Sequence, residues 1–207
     1  MTTEKAKSNP AEQTNRNTQT NPKSGHKPKL LMLNKPKGYV VTRSDEKDRK
    51  IVYELLPPWA YTDHWKPVGR LDLDSKGLLL FTKNDKLANK ITTPGGCLKT
   101  YEVIVRGIVT PEHLKMALKG VENSGEILKV FQVRIIGGGG AKTKLEVVLD
   151  EGKNRHIRRL FGTMKDPKFK TALKVLDLKR VQIGGLHLDV ESGKWRFLSS
   201  DDELLLV

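Results

Sequence analysis

The chain of 207 residues has one cysteine, Cys97, which excludes an intramolecular disulfide and a cysteine-rich zinc site. A reducing interior is the expected setting. No apolar run approaches the roughly 18 to 20 residues that a bilayer span requires, and the N-terminus is polar where a secretory signal would be apolar. A soluble, cytoplasmic protein with no membrane partner is expected. The five histidines are scattered, and no further acidic cluster stands at ligand spacing, so no metal is expected. Acidic residues are scarce: 24 Asp and Glu face 38 Lys and Arg, a net charge of +14.

That imbalance points to a polyanionic partner. Residues 1–28 hold five bases and two acids and almost nothing to bury, so they read as a disordered, mildly cationic tail. Most of the positive charge belongs to residues 29–207, which favours a binding surface over a basic tag.

From Leu30 the pattern is that of a folded domain. Leu30 to Leu33 reads as a buried strand, Asn34 to Gly38 as a turn and Tyr39 to Thr42 as a second strand, together a hairpin. A charged loop from Arg43 to Lys50 leads to a helical segment at Ile51 to Leu55, stopped by Pro57 and Pro58, and Trp59 to Pro67 reads as loop. Leu78 to Thr82 is a strand, and Asn84 caps a helix over Asp85 to Ile91. Lys99 to Val105 is a strand, and Thr110-Pro111-Glu112 opens a helix with Leu114, Ala117, Leu118 and Val121 as its apolar stripe. Ile127 to Ile136 reads as a strand, Gly137 to Gly140 as a flexible loop, and Leu145 to Leu149 as a strand. A helix near Asn154 to Met164 follows, then a long strand from Leu173 to Ile183 with a bulge near Lys179 and Arg180. Trp195 to Leu198 closes the sheet, and Asp201 to Glu203 begins a final helix. The expected class is α+β: a mixed, mainly antiparallel sheet with flanking helices and a central basic cleft.

The most informative stretch is Gly69 to Asp85, a glycine-bounded polar loop with Arg70, Asp72, Asp74 and Ser75 that runs into an apolar strand. On spacing alone, Asp72 and Asp74 fit an acid and base pair for glycosyl chemistry, metal ligands, or aspartates that satisfy turn N–H groups. In the later helix, Ile157, Leu160, Phe161 and Met164 mark a buried face, while Arg155, Arg158 and Arg159 share another. Those arginines fit either a solvated basic face or a set in which one reaches a cleft carboxylate and its neighbours bind phosphates. The glycine run before Lys142 fails as a phosphate loop, because Ala141 stands where glycine is required. Cys97 reads as incidental, Tyr101 as a strand aromatic and His156 as a polar helix residue.

Three stretches in order closely resemble the signatures of the RsuA-type ribosomal RNA pseudouridine synthases: Gly69 to Leu79, Lys99-Thr100-Tyr101, and Glu151 to Leu160. Asn34 to Gly38 and Leu178 to Gly184 are also similar to that family, so the resemblance covers about residues 29–200. It implies a uridine isomerase that needs no cofactor or metal and takes ribosomal RNA as its partner. By resemblance Asp72 is the catalytic aspartate, Tyr101 the active-site tyrosine, and Arg158 the basic residue that pairs with Asp72. Arg70 is implied as a substrate-strand or base-flipping contact and Asp74 as loop structure, with Ser75 read the same way; Lys99, Lys153, Arg155 and Arg159 are expected as further RNA contacts. Many relatives carry a small RNA-binding module before the catalytic domain, and residues 1–28 are no such module. The chain therefore looks most similar to the short RluE-like branch, which implies large-subunit RNA, with small-subunit or transfer RNA as alternatives. A monomer with one catalytic domain, 29–207, is expected. A non-catalytic ribosome-assembly factor would share the fold, and the intact Asp72, Tyr101 and Arg158 argue against it.

Overall fold

The structure, a computed structural model, describes residues 29–206; the expected tail lies outside the described residues. In chain order the elements begin with β1 (Leu30–Lys35), a 3-10 turn (Val52–Leu55), α1 (Pro58–Thr62), β2 (Lys66–Val68), β3 (Lys76–Thr82) and α2 (Asp85–Thr92). Next come β4 (Lys99–Arg106), α3 (Pro111–Lys119), β5 (Val121–Asn123), β6 (Glu126–Leu128), β7 (Gln132–Gly139) and β8 (Lys142–Leu149). The chain closes with α4 (His156–Gly162), β9 (Lys174–Ile183), β10 (Leu186–His187), β11 (Trp195–Phe197) and α5 (Ser200–Leu204).

One sheet organises these elements, in the order β11-β1-β3-β9-β4-β8-β7, with β2 beside β3 and β10 beside β9. Among the described strands of this sheet only β3 and β9 run parallel; every other strand pairing in it is antiparallel. This is the mixed, mainly antiparallel α+β sheet expected. Alternation along the strands splits the apolar residues between two faces. Leu31, Leu33, Leu79, Phe81, Tyr101, Val103 and Val105 enter a larger core that α4 completes with Ile157, Leu160, Phe161 and Met164. Leu30, Met32, Leu78 and Leu80 face the other way, into a second core with Ile91, Leu198 and Leu206. Because β1 and β3 are buried on both faces, they read as unbroken apolar runs.

Several local expectations change. Tyr39 to Thr42 forms no hairpin with β1, whose two edges are taken by β3 and β11; Val40 makes one bridge, to Ile51. The helical segment ends before Pro57, as expected, but Pro58 then starts α1, since proline suits the first helical position, and β2 follows within the expected loop. The strand foreseen over Ile127 to Ile136 is two strands, β6 in a small hairpin with β5, and β7. The glycines belong to β7 through Gly139, where they pair with Lys142 to Lys144, and only Gly140 and Ala141 make the turn. Leu118 is exposed, because α3 buries Ala117 and His113 instead. The bulge expected near Lys179 and Arg180 is present, at Val181, where pairing with β4 skips from Gln182 to Arg180, and a second, unexpected one skips Leu176.

Gly77 fixes how closely β3 approaches β9. It has φ +108°, and a Cβ there would collide with the Arg180 carbonyl. Arg180 is itself buried and donates from Nε to the Leu78 carbonyl at 2.7 Å. The loop before β3 is therefore anchored at the middle of the sheet.

Candidate active site

The polar loop between β2 and β3 is held by its backbone. Lys35, the last residue of β1, is wholly buried, and its ammonium donates to the carbonyls of Pro36 (3.1 Å), Asp72 (3.1 Å) and Ser75 (2.8 Å). The Gly38 N–H donates to the Leu73 carbonyl at 2.8 Å. Arg158 donates to the Asp74 carbonyl at 2.9 Å and, through its other terminal nitrogen, to the Val175 carbonyl at 3.0 Å. All four consecutive carbonyls, 72 to 75, are thus claimed from outside the loop, apart from the turn bond of Ser75 N–H to Asp72. With the backbone satisfied in this way, the Asp72 and Asp74 side chains are left partly exposed, while Ser75 stays buried.

Burial pushes the Lys35 ammonium down to about 8, against the opposing pull of Asp72 and Asp74. An ammonium in so dry a place persists because three carbonyl oxygens replace its water. A lysine ending an apolar strand just before a proline was the signal in the sequence, there read only as part of a turn.

Asp72 opens into a cleft of about 460 Å³. The ring of Tyr101, which is 7% exposed, forms part of its wall from β4, and Leu71, Leu149, Ile157 and Leu178 supply apolar lining. Four cations rim it: Arg49, Arg70, Lys153 and Arg155. Of the residues proposed from the sequence, the cleft gathers Asp72, Tyr101, Arg70, Lys153 and Arg155. Arg49 was missed; it comes from the charged loop after Thr42, where its pairing with Asp45 had no sequence signature beyond spacing.

The remaining predicted residues lie elsewhere. Arg158 does not pair with Asp72; it approaches the Asp74 carboxylate at 3.3 Å and clamps the loop from below. The arginine beside Asp72 is Arg155, at 3.8 Å, which also bonds both Asp74 oxygens at 3.2 and 3.3 Å. The cause is local: α4 begins at His156, and Arg155 precedes it with φ 48°, in the left-handed region. That turn carries its side chain toward the loop instead of along the helix. Arg159 points away, to Asn123 (2.8 Å) and Glu126 (2.6 Å) of the β5–β6 hairpin. The three arginines therefore do not share a face. Lys99 is buried, its ammonium without a partner, and burial pushes its pKa down. It does not line the cleft.

Asp74 is more than loop structure. Burial would raise its carboxyl, but the hydrogen bond from Arg155 and the charges of Arg158 and Arg155 outweigh that and hold it below the usual carboxylate range. It ties the start of α4 to the loop that carries Asp72. His156, buried against the cleft wall, is pushed below its ordinary pKa by burial, so it is neutral near pH 7. Among the described residues no three His, Cys, Asp or Glu side chains form a metal-holding group, and no helix is long and apolar enough to cross a membrane.

A family profile described as RNA pseudouridylate synthase matches residues 29–162. The chain is 35% identical over 170 residues to "Ribosomal large subunit pseudouridine synthase B" of Vibrio cholerae, covering 81% of this chain and 50% of that one. It is 31% identical over 182 residues to "Ribosomal small subunit pseudouridine synthase A" of Escherichia coli, covering 86% and 73%. A solved structure titled "Crystal structure of pseudouridylate synthase" superposes with a TM-score of 0.75 at 28% identity, over 87% of this chain and 74% of that one. The chain spans about half the length of the large-subunit relatives it matches.

Proposed function

This chain belongs to the RNA pseudouridylate synthase family, in its RsuA-type branch, and we propose that it isomerises a uridine of large-subunit ribosomal RNA to pseudouridine. The observation that carries the proposal is the loop of residues 72–75, pinned at every carbonyl, which presents Asp72 in a cleft walled by Tyr101 and rimmed by cations.

The reaction exchanges the bond from ribose to the base nitrogen for one to a ring carbon, and the proton on that carbon is lost as the nitrogen gains one. Cleavage leaves the sugar electron-poor. The Asp72 carboxylate is the group placed to meet that centre, and it does so only while ionised. Arg155 stands beside it at 3.8 Å; Arg158 acts through the backbone by fixing where the carboxylate sits. Tyr101 offers a face on which the flipped uracil stacks and a hydroxyl for proton removal. Arg70 at the rim, which forms no ion pair among the described residues, binds a phosphate next to the target, which offsets part of the few kcal/mol needed to unstack it. The chain's own residues supply all these roles, and the proposal includes no cofactor. Small-subunit RNA is the second reading, favoured by the 73% coverage of the E. coli small-subunit relative.

Mapping pseudouridines in ribosomal RNA from cells with and without the protein tests the function. At least one site should vanish without it and stay absent when Asp72→Asn is supplied. In vitro that variant should lose at least about a thousandfold in rate, roughly 4 kcal/mol, with RNA affinity kept within about tenfold. Retained activity would remove Asp72 from the chemistry.

A further inference from the structure

The far end of the sheet from the cleft carries a second concentration of positive charge. Arg106 at the end of β4 is paired in register with Lys174 of β9 on one side and Lys142 of β8 on the other. Residues directly opposite each other across strands point to the same face, so three exposed cations stand side by side. One step inward the same face is charge-balanced: Lys144 pairs with Glu102 at 3.0 Å, and Asp177 pairs with Lys37 and Lys76. The terminal row has no such acid; among the described residues Arg106, Lys142 and Lys174 form no ion pair.

The loop between α4 and β9 extends the row. It is rigid, because the buried Asp166 carboxylate accepts from the N–H groups of Ile108 (2.7 Å), Lys168 (2.8 Å) and Phe169 (2.8 Å). Its ends are joined by the bridge of Lys165 to Ala172. On this scaffold Lys165, Lys168 and Lys170 are exposed around Phe169, whose ring is 57% exposed with the Lys168 ammonium 5.2 Å from its centroid. Like charges placed opposite each other repel. Three unpaired cations in one row, with three exposed lysines and an open aromatic ring on the adjoining loop, match the two needs of an RNA strand, cations for phosphates and a face for a base.

We propose that this corner binds a second segment of the sugar-phosphate backbone of the substrate RNA, apart from the segment in the cleft. The inference rests on the RNA-modifying reading and extends it to the size of the substrate. Arg106 lies five residues along β4 from Tyr101, about 17 Å at the rise of a strand, and on the opposite face of the sheet. An RNA held at both places must wrap the strand ends, which a structured RNA does and a few nucleotides do not.

The test is the salt dependence of binding to deproteinised ribosomal RNA for wild type and for the triple variant Arg106→Gln, Lys142→Gln, Lys174→Gln. A control variant removes three exposed lysines elsewhere (Lys86→Gln, Lys90→Gln, Lys119→Gln). The row variant should bind at least tenfold more weakly at moderate salt, with its slope reduced by about two. Its melting temperature should equal or exceed that of wild type, because only repulsion is lost. The control should change by less than half as much. An unchanged slope in the row variant, or an equal fall in the control, overturns the proposal while leaving the activity in place. If wild type forms no pseudouridine yet binding still depends on the row, the function falls and the surface stands. Wild type that binds no ribosomal RNA overturns both.

Discussion

The cations of the cleft and those of the far corner are the same residue types in opposite circumstances. Around the loop of residues 72–75, Lys35 and Arg158 are engaged by backbone carbonyls, whereas Arg106, Lys142 and Lys174 face no acid. The difference separates two uses of positive charge. A cation saturated by protein acceptors sets geometry, and one left open recruits an anion. Net charge alone does not distinguish them, which is why +14 said only that a polyanion was involved.

The sharpest break of that comparison is Lys35, the most enclosed cation. Lys35→Met leaves the Pro36 and Ser75 carbonyls without a donor and should cost about 2 to 4 kcal/mol in chemical denaturation. Its pH behaviour has a definite sign. The folded-state pKa is lowered to about 8 from 10.5, so in that window the unfolded chain holds the proton more firmly and this group's contribution to stability rises with pH. Wild type should therefore gain on the variant from pH 8 toward 10.5, by at most about 1.4 kcal/mol per pH unit. A flat difference curve would mean that Lys35 keeps its ordinary pKa.

Two adjacent arginines allow a finer contrast. Arg158→Ala should lower kcat about a hundredfold, by releasing the loop, and leave the salt slope of RNA binding unchanged. Arg159→Ala should cost about 1 to 2 kcal/mol in stability by freeing the β5–β6 hairpin, with kcat near wild type. Equal kinetics in the two would put Arg158 outside the site. The smallest effect belongs to Arg155, whose pair with Asp74 is half-exposed and worth less than about 1 kcal/mol. Such a pair is open to exchange for phosphate, so Arg155→Ala should reduce the salt slope by about 0.7 to 0.9 with little change in melting temperature. No change in slope would move Arg155 into the saturated group.

The sequence was most legible where a pattern is closed within itself. The Asn84 cap, the apolar runs of β1 and β3, and the α4 stripe of Ile157, Leu160, Phe161 and Met164 carry their meaning in a few residues. It was least legible where the partner decides. Nothing near Tyr39 says that both edges of β1 are already taken, and nothing in the glycines after Ile136 says that β8 pairs with them. The site followed the same division. The resemblance led to Asp72 and Tyr101, which the cleft gathers. The destination of each arginine depended on the φ of Arg155 and on hydrogen bonds across 80 or more residues, which spacing on a helix does not encode.

The parallel pairing of β3 with β9 also bears on the order in which the molecule assembles. Gly77 meets Arg180 across more than a hundred residues of chain, and β9 is the strand that joins β3 to β4. Contacts so distant in sequence are slow to find, because loop closure must precede any stabilisation from them. During synthesis Asp72 and Tyr101 both emerge well before the strand that brings their halves of the sheet together. Until β9 is inserted, β4 has an unpaired edge, and β3 an unpaired stretch at Lys76 and Gly77, open to other chains. The site is thus among the last parts of the fold to form, and no shorter nascent chain holds it.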